Sequence, residues 1–279
     1  MMNGLLAGRT ALVTGGGTGV GLGCTRRLLQ HGAVVTIAAR RLDVLEQTAA
    51  RLREEVSGAE VRIQRCDVTI EEEVAAAVHR AAGADGQLDI AVANAGSAAP
   101  GPVLALEAEH WRFACDLNIL GTAFTIKHAA LAMKKRGGSI VAMSSADGFL
   151  VPRYMATYGV TKAGLEMLVR CAALELAPFN IRVNCIQPGY VPTEGAALGM
   201  DEEDVKEVLR ATPLGRPGAA EEIGDAVVYF CADSGAWVTG QVLAVDGGMT
   251  IPVGANFERL CRRMFGDELM ERCAGPGKG

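Results

Sequence analysis

Short apolar runs alternate with amphipathic stretches along almost the whole chain. Thr10–Thr14, Ala33–Ala38, Val61–Cys66, Asp89–Ala93, Ser139–Met143, Arg182–Ile186 and Val242–Val245 are compact runs rich in valine, isoleucine and alanine. Such runs predict strands buried on both faces. Between them, helical patterns fall at Gly19–His31, Leu42–Val56, Glu71–Ala82, Glu109–Lys135, Thr157–Ala177 and Ala219–Cys231. In the second of these, Leu42, Leu45, Ala49 and Leu52 recur at the spacing of one helix face. Strand and helix in regular alternation predict an α/β fold: one Rossmann-like, doubly wound parallel sheet of about seven strands, with helices on both faces and right-handed crossovers.

Two segments break the rhythm. Residues 189–216 are bounded by Pro188, Pro192, Pro213 and Pro217 and carry an acidic helical piece, Asp201–Arg210. They read as an insertion near a substrate mouth, so residues 1–250 form one domain. Residues 251–279 form an extension. Within it Phe257, Leu260, Cys261, Met264 and Phe265 follow helical spacing. This amphipathic helix is expected to pack near a substrate mouth, its own or a neighbour's. The final Ala-Gly-Pro-Gly-Lys-Gly is expected to be disordered.

A chain of 279 residues with 35 glycines and 49% hydrophobic residues suits an enzyme core with tight turns. The net charge of −5, with both signs dispersed, gives no footprint for nucleic acid or an acidic membrane surface. The eight cysteines form no C-x-x-C pair and fall mainly in apolar patterns, the reading of reduced thiols in a cytoplasmic protein. The four histidines are dispersed without ligand spacing, so no metal is expected. No apolar run reaches transmembrane length, and the first residues lack the apolar core of a signal peptide.

Chemistry enters at three places. The loop Thr14-Gly15-Gly16-Gly17-Thr18-Gly19-Val20-Gly21 follows the first strand and opens a helix, where free N–H groups and the helix dipole suit a pyrophosphate. Its G-x-x-x-G-x-G spacing differs from the general G-x-G-x-x-G fingerprint. At the end of the second strand, where dinucleotide sites often hold an acid for the ribose 2′-hydroxyl, the chain reads Ala38-Ala39-Arg40-Arg41. Guanidinium groups there favour a 2′-phosphate, hence NADP(H) over NAD(H). Finally, Tyr158 and Lys162 stand one helical turn apart, with Ser145 at the end of an apolar strand. A nearby ammonium favours the phenolate, so the pair is suited to acid–base work.

Taken in order, Thr14–Gly21, Asp67-Val68, Asn94-Ala95-Gly96, Asn118, Ser145, Tyr158 with Lys162, and Pro188-Gly189-Tyr190-Val191-Pro192-Thr193 resemble the motifs of the short-chain dehydrogenase/reductase family, in its common non-extended branch. The resemblance spans about Leu6 to Gly248. It implies that Gly15, Thr18, Gly19, Val20 and Gly21 hold the cofactor phosphates, with Arg40 and Arg41 at the 2′ position. It implies that Asp67 bonds the adenine amino group beside Val68, and that Asn94, Ala95 and Gly96 line the cofactor. The family usually shows Asn-Asn-Ala-Gly there; Ala93 takes the first place in this chain. Pro188 and Gly189 would face the nicotinamide, Val191 would bond its carboxamide, and Thr193 would reach the phosphates.

By the same resemblance, Tyr158 exchanges a proton with the substrate oxygen and also contacts the cofactor, and Lys162 holds the nicotinamide ribose and depresses the tyrosine pKa. Ser145 bonds the substrate oxygen, and Asn118 supports a water leading from Lys162 to solvent. Strand alternation points Ser144 to the opposite side from Ser145. The implied activity is hydride transfer between a nicotinamide and an alcohol or carbonyl of a small, apolar substrate. The alternatives are a 3-oxoacyl-thioester reductase, or a dinucleotide-sensing or scaffold protein without turnover. A homotetramer, or a homodimer, is the implied assembly.

Overall fold

The computed structural model describes residues 4–193, 200–252 and 254–273. Seven strands form one sheet: β1 (Thr10–Thr14), β2 (Val34–Ala39), β3 (Val61–Arg65), β4 (Ile90–Ala93), β5 (Gly138–Met143), β6 (Ile181–Pro188) and β7 (Val242–Val245). Their spatial order is β3-β2-β1-β4-β5-β6-β7, and every pairing is parallel. Parallel strands require crossovers, and the helices supply them. These are α1 (Gly19–Gln30), α2 (Leu42–Glu55), α3 (Glu71–Ala81), α4 (Ala108–Cys115), α5 (Gly121–Met133), α6 (Ala156–Leu176), α7 (Glu202–Arg210) and α8 (Ala220–Cys231).

Strand periodicity divides the core in two. On β1, Ala11 and Val13 join the cluster beneath α1, α2 and α8, whereas Leu12 joins the cluster beneath α3, α5 and α6. β4 alternates in the same way, with Ile90 and Val92 on one side and Ala91 and Ala93 on the other. Both faces are covered, which is why these strands read as unbroken apolar runs. The chain winds outward through β1, β2 and β3, then returns to place β4 against β1 in the register Ala11↔Ile90. This reversal opens a crevice beyond the carboxyl ends of β1 and β4, the ligand position of such sheets.

The expected helix Glu109–Lys135 is divided. A π-helical turn, Asp116–Leu120, separates α4 from α5 and contains Asn118. A π turn inserts an extra residue into the helical ladder and is frequent at functional sites. Here it serves Asn118, whose side chain bonds to neighbours outside its own helix. The acidic piece forms α7, capped by Asp201, which accepts from Glu203 N at 2.8 Å and Asp204 N at 3.0 Å.

The extension folds into α9 (Glu258–Phe265) and α10 (Asp267–Cys273), and no residue of either is buried. Phe257, Leu260, Met264 and Phe265 are exposed, so the amphipathic face is present but the chain itself does not bury it. Residues 274–279, expected to be disordered, lie outside the described residues. All eight cysteines are free thiols. Among the described residues no helix is long and apolar enough to cross a membrane.

Candidate active site

The glycine loop is built for close approach. Thr18 caps α1 in extended conformation without a side-chain cap bond, and the first turn of α1 holds no acid. Its leading N–H groups and the positive end of the helix dipole are therefore available to an anion. At Gly21 a β-carbon would stand 2.2 Å from Gly15 O and 2.6 Å from Asn94 Nδ2, so no other residue fits without moving the loop. Gly19 has φ +53°, in the left-handed region that glycine tolerates. These features form a cradle that fits a dinucleotide pyrophosphate. Thr193 closes over it: its side chain lies 3.1 Å from where a Gly19 β-carbon would be.

Asn94 anchors the loop. Its Nδ2 donates to Thr14 O at 2.9 Å and Gly15 O at 3.3 Å. Thr14 Oγ1 accepts from the backbone N–H groups of Asn94 at 3.0 Å and Ala95 at 3.2 Å. Ala93, in the place of the family's first asparagine, is a buried core residue on β4. The clamp between the β1 and β4 ends is thus made by Asn94 and Thr14 without it.

Arg40 and Arg41 emerge, both exposed, at the end of β2. Asp67 stands beyond the end of β3, the strand next to β2, and Arg40 acts on it electrostatically. Burial raises the Asp67 carboxyl, but two bonds from Thr69 and the charges of Arg40 and Arg65 outweigh it, and its pKa is lowered. Both Thr69 bonds go to Oδ1, at 3.0 Å from N and 2.7 Å from Oγ1. Asp67 therefore caps its own turn with one oxygen. Val68 is buried beside it, against the position a Gly121 β-carbon would take. On the opposite rim, Gly189 packs against Asp246 and Val191 is buried.

Ser145, Tyr158 and Lys162 converge beyond the end of β5. Ser145 caps a short 3-10 turn, Ala146–Gly148, accepting from Asp147 N at 3.2 Å, and its hydroxyl is near enough to the Tyr158 phenol to lower that group's pKa. Lys162 Nζ lies 5.3 Å from the Tyr158 ring centroid and donates to Met143 O at 2.8 Å. Gly96 joins the cluster: a β-carbon there would lie 2.9 Å from Asn118 Oδ1 and 3.1 Å from Lys162 Nζ. Asn118 is fully buried. Its Oδ1 accepts from Ser97 N at 3.1 Å, and its Nδ2 donates to Ser97 O at 2.9 Å and Thr161 Oγ1 at 3.0 Å. Its side chain thus ties the loop after β4 to α6, one residue from Lys162.

Electrostatics departs from expectation at the phenol. Burial, the charge of Asp147 adding to it, pushes Tyr158 up to about 12 despite the opposing influence of Ser145. Lys162, expected to depress the phenol, donates here to Met143 O. Burial likewise pushes Lys162 down to about 8, against the pull of Cys185, Asp147 and Glu166.

Two acids in this cluster are absent from the sequence reading. Glu166 follows Lys162 by one helical turn and is 7% exposed. Its Oε1 accepts from Ser144 Oγ at 2.7 Å and from Gln187 Nε2 at 2.7 Å, which joins α6 to the ends of β5 and β6. Ser144 therefore faces away from the Ser145 side and has a structural partner. The line Tyr158, Lys162, Glu166 at successive turns was the available signal. Asp147, two residues after Ser145, is the second; only its nearness to that serine marks it in the sequence.

The sequence matches, over residues 15–250, the family described as enoyl-(acyl carrier protein) reductase. The cis-4-hydroxycyclohexanecarboxylate dehydrogenase of Sinomonas cyclohexanicum is 39% identical over 250 residues, spanning 88% of this chain and 97% of that protein. A short-chain type dehydrogenase/reductase from Mycobacterium ulcerans superposes with a TM-score of 0.85 at 35% identity, covering 95% of this chain and 98% of that one. A 7 alpha-hydroxysteroid dehydrogenase complexed with NADH and 7-oxo glycochenodeoxycholic acid superposes with a TM-score of 0.84 at 30% identity, covering 91% and 99%. With the parallel sheet, the glycine cradle and the Ser145–Tyr158–Lys162 cluster, these likenesses make the chain a member of the short-chain dehydrogenase/reductase family, oxidoreductases of the CH–OH/C=O couple that bind NAD(P)(H).

Proposed function

We propose that this chain is an NADP(H)-dependent alcohol dehydrogenase or carbonyl reductase in which Tyr158 exchanges the proton. The observation that carries the reading is the convergence of Ser145, Tyr158 and Lys162 beside the loop anchored by Asn94. When bound, NADP(H) supplies or accepts the hydride. The protein contributes position and proton handling. Gly15, Thr18, Gly19, Val20 and Gly21 hold the pyrophosphate with backbone N–H groups, with Thr193 closing that side. Asp67 and Val68 flank the adenine, Asn94, Ala95 and Gly96 line the cofactor floor, and Pro188, Gly189 and Val191 border the nicotinamide.

As a carbonyl is reduced, negative charge grows on its oxygen, and donors fixed in advance stabilise that charge. Ser145 Oγ and the Tyr158 phenol are such donors, placed side by side. With its phenol up at about 12, Tyr158 holds its proton throughout the neutral range and is ready to give it. In the oxidative direction the same oxygen takes the alcohol proton. Lys162 holds the ribose, and Asn118 keeps the proton path next to Lys162 in register. The four-residue spacing of Tyr158 and Lys162 favours carbonyl over enoyl chemistry. A homotetramer in the cytoplasm accompanies this reading; exposed Leu131 on α5 and Met167 and Leu174 on α6 support association through those helices.

Absorbance at the nicotinamide band, with purified protein, NADPH or NADH and a panel of ketones, tests the proposal. Sustained oxidation of NADPH supports it. Tight dinucleotide binding without turnover on any ketone or alcohol favours a sensor instead. The 2′-phosphate assignment has its own test. Arg40→Ala is expected to raise the Kd for NADPH by about tenfold or more, as loss of one charge-assisted bond of about 1.5–3 kcal/mol implies. The Kd for NADH should stay within about twofold, since no phosphate stands there. Equal effects in titrations of both cofactors sink the assignment.

A further inference from the structure

The segment Met143–Ser144 at the end of β5 is held by two side chains of α6. Lys162 Nζ donates to Met143 O at 2.8 Å, and Ser144 Oγ donates to Glu166 Oε1 at 2.7 Å. The same carboxylate oxygen accepts from Gln187 Nε2 at 2.7 Å. Both of its partners adjoin residues of the reaction centre. Ser144 precedes Ser145, and Gln187 precedes Pro188 and Gly189, which are read as the nicotinamide border. Glu166 itself stands one turn beyond Lys162 and two beyond Tyr158 on α6.

The oxygen also supports the turn that leads away from Ser145. A β-carbon on Gly148 would lie 2.5 Å from Glu166 Oε1 and 2.9 Å from Ser144 Oγ. The turn Ala146–Gly148 therefore rests on the carboxylate, and a glycine permits that approach. Glu166 is 7% exposed, Ser144 3% and Gln187 7%. At that depth a polar group that loses its partner is costly, so the three bonds hold one another in a single arrangement. Three elements meet there, and their relative placement decides the chemistry. α6 carries Tyr158 and Lys162, β5 delivers Ser145, and β6 delivers the nicotinamide border.

We propose that Glu166 is a positioning residue, which through Ser144 and Gln187 sets the distance of Tyr158 from Ser145 and from the nicotinamide border. It acts from beneath the site, through these two neighbours. The assignment rests on the reading of Ser145 and Tyr158 as the proton-handling pair.

The test is kcat of the full chain per NADPH-binding site, with sites counted by fluorescence titration and a ketone that the wild type reduces. Glu166 also supports the charge of Lys162, as do Asp147 and Cys185. Rates are therefore compared at about pH 6, where the lysine is charged. Glu166→Ala is expected to lower kcat by about 10–10²-fold, the scale of a reacting group displaced by about 1 Å. The Kd for NADPH should move by about threefold at most, because the phosphate cradle stands on other elements. Glu166→Gln keeps a carbonyl oxygen with two lone pairs, accepts both bonds, and should retain more than about a third of wild-type kcat. Ser144→Ala removes one of the two bonds with little change of volume, and serves where Glu166→Ala does not fold. It is expected to lower kcat by about three- to tenfold, the scale of one hydrogen bond. Alanine variants that lose Tm but keep kcat per site within about twofold of wild type make the junction merely structural and overturn the proposal. A Glu166→Gln variant as slow as Glu166→Ala overturns it too, since the carboxylate then acts by charge and not by position. Both results leave the oxidoreductase reading intact. A wild type that turns over no member of a broad ketone panel removes that reading, and this one with it.

Discussion

Tyr158→Phe is expected to lower kcat/KM for reduction and oxidation alike by about 10²–10⁴-fold, the usual contribution of a positioned acid or base. The substitution removes one oxygen and leaves the ring. Ser145 keeps its bond from Asp147 N at 3.2 Å, and Lys162 keeps its bond to Met143 O at 2.8 Å, so the surroundings stay in place. The glycine cradle lies on other elements, so the Kd for NADPH should change far less than kcat/KM, by about tenfold at most for one lost hydrogen bond. Initial rates with a fluorescence titration of the cofactor separate the two effects. A variant that keeps more than about a tenth of wild-type kcat/KM would show that the proton comes from elsewhere.

The fold was legible because its parts are self-consistent. Ala11, Leu12 and Val13 are all buried, but alternate between the two core layers, so both faces of β1 demand apolar residues and the run is unbroken. Helix α2 had to be amphipathic because only Leu45, Thr48, Ala49 and Leu52 meet the sheet. Legibility failed where side chains act across long sequence distances. The break between α4 and α5 arises from Asn118 reaching Ser97 and Thr161, 21 and 43 residues away, which no local pattern encodes.

The site divides similarly. Gly21, Tyr158 and Lys162 announce themselves by spacing on one loop or one helix face. The resting charge state of the pair does not, because it depends on burial and on Asp147, a residue of another element. Glu166 shows the same limit from the structural side. Its spacing from Lys162 is visible in the chain, but its role needs Ser144 and Gln187, which the sheet brings to it from β5 and β6. The sequence reading gave Lys162 the task of depressing the tyrosine. In the folded chain the lysine is itself a strained charge, and that has a measurable consequence.

Lys162→Met is expected to cut kcat/KM by about 10²-fold or more while raising stability at neutral pH. Lys162 is 3% exposed, and burial lowers its pKa from 10.5 to about 8. Each unit is about 1.4 kcal/mol, so the folded state carries roughly 3 kcal/mol of penalty for the charged form. Because the folded pKa is the lower one, the penalty is full below about pH 8 and disappears as pH rises to 10.5, where the unfolded chain also loses its proton. Methionine fills the volume without charge. It forfeits the bond to Met143 O, about 1–2 kcal/mol, so the net gain is about 1–2 kcal/mol, or roughly 2–6 °C in Tm. The Tm difference between variant and wild type should shrink as pH climbs from about 8 to 10.5. In the wild type, kcat/KM for NADPH, which reports the cofactor-free enzyme, should fall as pH passes about 8, where Lys162 loses the charge that holds the ribose. A variant less stable than wild type at neutral pH, or a stability difference that does not vary with pH, would mean that Lys162 is not held charged at a cost. Lys162 would then be an ordinary buried donor, and the trade of stability for proton handling would have to be sought in Glu166 and Ser144 beneath it.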